Sequence, residues 1–399
     1  LKRKLKRKLF PIACFFCCLM LAGCWNRREL NELGIVLAIG IDKDRRTGEV
    51  ILTSQVVRPG ALKQESAAEK SPVEITMTRG KTVFEAMRNI TKQFDRKAYF
   101  SHDKVIVIDE RLAREGILKV IDVFVRSQEI RRQVWFMVAK DTTAGEILGV
   151  EHGIETVQAT YLESMIKSKS RNSEVSAPSL LEIVKAVSGG GTNPVAGVME
   201  MIEQPNLPAE KEKEPSSQGV KLSGTAVFKK DKLVGYLNDR ETRGLHWVTG
   251  KVQSGVIQVP APGEPGRLIT VEIKKASSRI KPEIKNGRIS FHIAVKEEGN
   301  IVEQQSIIDS SKLKTFEKIA AAQKKVIADE IGAAVAKVQK QLGSDIFGFG
   351  SLLNQKYPQE WEKIKKNWDA LFPEVQWTVT IDAELRRSGL LLKPVKRGE

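Results

Sequence analysis

Cys24 is the residue of this chain whose neighbours point to a definite chemistry. It closes the stretch Leu21-Ala22-Gly23-Cys24, after an apolar run from Leu9 to Leu21 and a basic tip holding Lys2, Arg3, Lys4, Lys6, Arg7 and Lys8. A charged tip, a short apolar run and small residues form the order of a secretory signal. The run falls short of the ~20 apolar residues that a spanning helix needs. A Cys directly after Leu-Ala-Gly resembles a bacterial lipobox. There the thiol receives a diacylglyceryl group, cleavage leaves Cys24 first, and its amine is then acylated. The competing readings are an ordinary signal peptide and a buried N-terminal helix that contains Cys. Leu1 fits an alternative start codon translated literally.

Other residues could in principle do chemistry, and their spacing argues against it. Cys14, Cys17 and Cys18 lie inside the signal, so the cleaved chain keeps one Cys and can build neither a disulfide framework nor a Cys metal site. His102, His152, His246 and His292 fall in four separate regions, with no His-Glu-x-x-His and no Gly-x-Ser-x-Gly. Asp42, Asp44 and Glu49 do not fit an EF-hand loop. Gly189-Gly190-Gly191 lacks the Gly-Lys-Ser/Thr of a P-loop and precedes a strand, so it reads as a turn. No catalytic set, cofactor site or metal site is expected. The net charge of +16 is spread among acids, without a basic-aromatic stripe. Nucleic acid is therefore not an expected partner, whereas an anionic membrane surface would attract a tethered basic chain.

The elements behind these residues alternate. Apolar runs at 33–41, 50–57, 73–78, 104–109 and 134–139 read as strands. Helices are expected from Thr82, over 112–125 and across 143–187, where Thr82/Glu85, Thr143/Glu146 and Ser179/Glu182 have capping-box spacing. Strands follow at 195–202, 220–228 and 233–237, then a helix capped by Asn238 or Asp239 and a strand at 252–259. A β-meander is expected over 268–276, 279–284 and 288–295, turning at Asn286-Gly287. A long helix from Ser310 or Ser311 carries Leu313, Phe316, Ile319, Ala320, Ile327, Ile331, Val335, Val338 and Leu342 on one stripe, and its Ala residues and Gly332 predict close packing on a sheet. Gly343 reads as its C-cap, Pro358 opens a last helix and 375–385 is a final strand.

Four stretches in order resemble the Ger(x)C family, lipoprotein C subunits of spore nutrient-germinant receptors. They are Cys24-Trp25-Asn26-Arg27-Arg28-Glu29-Leu30 with Ile39-Gly40-Ile41-Asp42; Ser223-Gly224-Thr225-Ala226-Val227-Phe228 with Lys232 to Leu237 and Glu241-Thr242-Arg243-Gly244; Asp345-Ile346-Phe347-Gly348-Phe349-Gly350 with Trp361 and Trp368; and Arg386-Arg387-Ser388-Gly389-Leu390. The resemblance implies an α/β (mixed α+β) protein of three domains, each a β-sheet covered by helices. With the elements above, this divides the chain into a signal peptide (1–23), the lipidated Cys and tether (24–32), an N-terminal α/β domain (33–141), a middle α+β domain (142–262) and a C-terminal domain with the meander and long helix (263–399). It further implies a lipid-anchored receptor component at the outer face of the spore inner membrane, beside two integral-membrane subunits of A and B type, and not an enzyme. Cys24 alone carries over as a functional residue. Gly224, Gly235 and Gly244 read as turns or close backbone contacts, Trp361 and Trp368 as a core face, and Phe347 to Gly350 as a tight corner between helices. The alternative is a solute-binding lipoprotein of a transporter, which would show two similar α/β lobes.

Overall fold

A computed structural model describes residues 33–57, 73–150, 155, 157–203, 218–310 and 312–387. Cys24, its signal, Arg28, Glu29 and His152 lie outside the described residues. Nine strands form one sheet: β1 (Leu33–Lys43), β2 (Val50–Val57), β3 (Val73–Gly80), β4 (Lys97–Tyr99), β5 (Val105–Asp109), β6 (Trp135–Ala139), β7 (Val195–Glu203), β8 (Gln218–Lys229) and β9 (Lys232–Leu237). Their order is β3-β2-β1-β5-β6-β7-β8-β9, with β4 paired on β1. The centre, β1-β5-β6-β7, is parallel. Both flanks are antiparallel hairpins or ladders.

A parallel centre must be covered on both faces, which is why its strands are apolar at consecutive positions. Ile106, Ile108, Phe136 and Val138 face one core, shared with α1 (Val83–Asn89), α2 (Glu110–Glu115), α3 (Leu118–Arg126) and α6 (Leu180–Gly189). Val105, Val107, Met137 and Ala139 face the other, under α4 (Ala144–Gly149) and α5 (Gln158–Ser168). Capping boxes are present at Thr143/Glu146 and Ser179/Glu182. Thr82 caps α1 through Glu85 N, while the Glu85 carboxylate bonds Lys81 N instead of closing the box.

The second sheet has four strands in the order β10-β11-β12-β13. They are β10 (Gly255–Pro260), β11 (Leu268–Lys285), β12 (Arg288–Gln304) and β13 (Gln376–Arg387). The expected meander is one long hairpin. Ser277 and Ser278 continue the ladder against Lys296 and Val295, and bulges near residues 270 and 274 absorb the twist. Asn286 and Gly287 both take positive φ, as a two-residue hairpin turn requires. Helix α8 (Leu313–Ala336) covers the inner face, continues as a π-helical turn over Lys337–Leu342, and ends at left-handed Gly343. Helices α9 (Phe349–Lys356), α10 (Pro358–Ile364) and α11 (Trp368–Leu371) lead into β13. Leu313, expected on the buried stripe, is 72% exposed. It lies on the first turn of α8, ahead of Ile319, the first buried residue of that helix.

The fold is mixed α/β, as expected. The described residues hold two sheets, not three, because β7 adds in parallel to β6 and brings β8 and β9 with it into the first sheet. The two sheets differ in size and order, unlike the paired lobes of a solute-binding protein. Among the described residues no helix is long and apolar enough to cross a membrane.

Candidate functional site

The polar chemistry of the chain collects where the two sheets meet, around α7 (Asp239–Thr249). Asn238 caps α7 by accepting from Glu241 N at 2.8 Å, and Glu241 accepts from Asn238 N at 2.9 Å. The helix is buried from Thr242 to Val248, so its polar side chains need partners. Arg243 donates Nε to Glu330 Oε2 at 2.9 Å, and its Nη2 reaches Glu330 Oε1. Its Nη1 donates to Glu174 Oε1 at 2.9 Å and to the Val256 carbonyl at 3.0 Å. Trp247 Nε1 donates to the same Glu330 at 2.9 Å. Glu330 thus satisfies three donors on α7 from α8 while only 2% exposed. Gly244 permits the approach, since a Cβ there would stand 2.1 Å from the Glu330 carbonyl oxygen. The close-packing glycine of this contact is Gly244, whereas Gly332 has open space around its own Cβ position.

A second joint uses Asp345. Its carboxylate accepts from the backbone N–H groups of Phe347, Gly348, Phe349 and Gly350, at 3.2, 3.0, 3.2 and 2.8 Å, and from Trp368 Nε1 at 3.0 Å. Burial pushes this carboxyl up to about 6 against the pull of those donors, so it is ionised at neutral pH. The corner it organises joins the end of α8 to α9, as the sequence suggests. Trp361 and Trp368 meet edge-on at 5.5 Å in the core, and Phe349 stacks on Phe291 at 4.1 Å. The Gly189–Gly191 turn docks on this corner. Ser351 N donates to Gly191 O at 2.9 Å, Asn193 N donates to Asp345 O at 2.7 Å, and a Cβ on Gly191 (φ 76°) would come 2.7 Å from Ser351 N.

His246 sits at the end of a buried hydroxyl chain. Its Nδ1 lies 2.8 Å from the Ser173 carbonyl, which can only accept, so Nδ1 carries the proton. Nε2 then accepts from Ser176 Oγ at 3.1 Å, and Ser176 is bonded in turn to Thr225 Oγ1, which is bonded to Thr242 Oγ1. Burial, with the nearby charges of Lys251 and Lys169, lowers the imidazole to about 4 and keeps it neutral. Ser176 Oγ is spent on His246 and Thr225, so the pair locks residues 173–176 to β8 and α7. Beside it opens a cleft of about 450 Å³.

The remaining expected residues are placed by simpler needs. Asp42 accepts from Ala144 N and Gly145 N, capping α4 from β1, and burial raises it to about 6. Asp44 closes its own turn onto Arg46 N and Thr47 N. No group of His, Cys, Asp and Glu able to hold a metal occurs among the described residues. His102 lies 5.7 Å from the Tyr99 ring, and His292 bonds Thr378 on the outer face of the second sheet. Arg386 pairs with Glu298 and Glu384, while Ser388 to Leu390 lie outside the described residues. Glu330, Glu174 and Lys169 were not singled out by sequence. Only Glu330 left a signal there, a charge set between Ile327 and Ile331 in an apolar stripe.

A family model described as "Spore germination protein N-terminal domain" matches residues 26–201, and one described as "Spore germination B3/GerAC like, C-terminal" matches residues 223–389. The chain is 28% identical to spore germination protein KC of Bacillus subtilis (strain 168), over 98% of each chain. It is also 28% identical to spore germination protein B3 of the same organism, over 95% of this chain and 97% of that one. The solved structure titled "Crystal Structure of the GerBC protein" superposes with a TM-score of 0.53 at 23% identity, over 87% of this chain and 96% of that one, and so shares the fold. The resemblance read from the ordered motifs is thereby established, and the chain belongs to the Ger(x)C family of spore germination proteins.

Proposed function

We propose that this chain is the lipid-anchored, non-catalytic C subunit of a spore nutrient-germinant receptor, needed for that receptor to assemble and work. The observation that carries the reading is end-to-end relationship to proteins named for spore germination. The chemistry of the seam supports it: Arg243 and Trp247 of α7 are bonded to Glu330 of α8, and His246 to Ser176 and through it to Thr225 of β8. The chain then acts through its surfaces beside two integral-membrane subunits, at the outer face of the spore inner membrane. A tether raises its effective concentration next to those neighbours, so modest interfaces suffice. In a strain with this operon as its only nutrient receptor, deletion of the chain is expected to abolish nutrient germination and leave non-nutrient triggers effective. Normal nutrient germination in that strain would refute the role.

The anchor has its own test. One acyl chain holds a protein only marginally, whereas two hold it stably. Lipidation at Cys24 supplies at least two. Cys24→Ala is expected to shift the protein out of the membrane fraction or to block its processing, as read by fractionation and mass spectrometry. A fully membrane-bound, normally processed variant would sink the assignment.

A further inference from the structure

The cleft beside His246 contains a cation without a counter-ion. Lys169, half-buried just past the end of α5, donates to the Ala177 carbonyl at 2.6 Å and lies 4.9 Å above the ring of Trp135. Among the described residues no carboxylate hydrogen-bonds to it or pairs with it, and an ammonium has three donors to place. Lys251 and Glu182, which also line the cleft, stand 3.5 Å apart as an exposed pair of little strength. The Glu182 carboxylate is meanwhile committed to the N-cap of α6. His246 is neutral and spent on Ser173 and Ser176. Glu182 offsets one of the two lysines that line the cleft, so the polar side keeps a net positive charge, carried by Lys169.

Apolar side chains line the cleft as well, among them Leu245, Ile346 and Trp135. A volume of about 450 Å³ is within the range of small-molecule sites. A net positive charge beside apolar lining side chains selects an anion with a compact hydrocarbon body. A charge-assisted hydrogen bond to a carboxylate would use the idle donors of Lys169. We propose that this cleft binds a small organic carboxylate, its head group between Lys169 and Lys251 and its body against Leu245 and Ile346. The inference stands apart from the role in germination, because it concerns binding by the chain alone.

Burial lowers Lys169 to about 8, with Lys251 pushing the same way, Glu182 opposing, and neutral His246 adding no charge. An anion would favour the ammonium form, so binding near pH 8 should take up protons.

The test is isothermal titration of the full chain in detergent with acetate, hexanoate and benzoate, using hexanamide and benzamide as neutral controls. Hexanoate or benzoate is expected to bind saturably and the amides not at all. At pH 8 the enthalpy should change with the ionisation heat of the buffer. Lys169→Met should weaken binding by about tenfold or more. Lys169→Arg, which keeps the charge, should retain part of it. If Lys169→Met does not fold, Lys251→Met and the acid-against-amide comparison decide. Absence of saturable binding by all three acids, equal binding of the amides, or unchanged affinity in a folded Lys169→Met would each overturn the proposal.

Discussion

Glu330→Ala is expected to lower unfolding free energy by about 3–5 kcal/mol, the range for removing one member of a buried ion pair. The size follows from what is stranded. Arg243, 8% exposed, would lose both arms of its fork and keep only Glu174 and the Val256 carbonyl. Trp247, 1% exposed, would hold an indole N–H with no acceptor. The seam cannot close over the gap, because Gly244 already lies against the Glu330 backbone. Urea denaturation followed by Trp fluorescence reads the loss directly. A double variant, Arg243→Met with Glu330→Leu, separates burial of a charge from loss of packing. It should be more stable than Glu330→Ala alone, since replacing both members of a buried pair by apolar groups is often near neutral. A single variant within about 1 kcal/mol of the parent would mean that the pair does not join the two sheets.

Most of the elements were legible because their determinants are local. Of the three pairs with capping-box spacing, Thr143/Glu146 and Ser179/Glu182 close the box, Thr82 caps its helix without Glu85 closing it, and Asn238, one of two expected caps, is the cap of α7. The turn at Asn286-Gly287 needs two positive-φ residues in a row and has them. Sheet membership was not legible. Pairing Met137 with Gly197 and Ala139 with Met199 spans some 60 residues, and nothing in either strand names the other. The length of the β11–β12 hairpin was missed for another reason. Ser277, Arg279 and Lys281 point to solvent, so the apolar alternation that marks a strand survives there on one face alone.

The site divides the same way. Two of the four stretches that carry the family resemblance lie in the seam: Thr242, Arg243 and Gly244 on α7, and Asp345 to Gly350 at the corner. Their sequence showed that something constrains them, not what. Arg243 and Glu330 are 87 positions apart, so the charge that explains the arginine could not be found from either end. Lys169 shows no sequence signal at all. A lysine without a partner reads like any surface lysine until Trp135 and Ala177 are seen beside it.

A second large effect is expected from pH. Glu297 occupies the inner face of β12, in line with Phe291, Ile293 and Val295, and is 1% exposed. Gln323 of α8, fully buried, donates Nε2 to one of its oxygens, while Glu297 Oε1 and Gln323 Oε1 have no hydrogen-bond partner. Desolvation by burial raises the carboxyl from its ordinary 4.5 to about 8, more than the Gln323 bond lowers it. The folded value exceeds the unfolded one, so the native state holds this proton more tightly. The stability this supplies is fully present below about pH 4.5 and is lost as pH rises through about 8. A tenfold change in proton affinity is worth about 1.4 kcal/mol, so Glu297 should cost the protein a few kcal/mol by pH 8.5 relative to pH 4.5. Glu297→Gln keeps the size and can still accept from Gln323, but it has no charge to bury. The variant should match the parent near pH 5 and exceed it increasingly towards pH 8.5. Other carboxyls contribute to the parent's curve, among them buried Asp103, so the difference between variant and parent is the quantity to follow. If that difference stays constant from pH 5 to 8.5, Glu297 does not titrate in this range and the assignment fails.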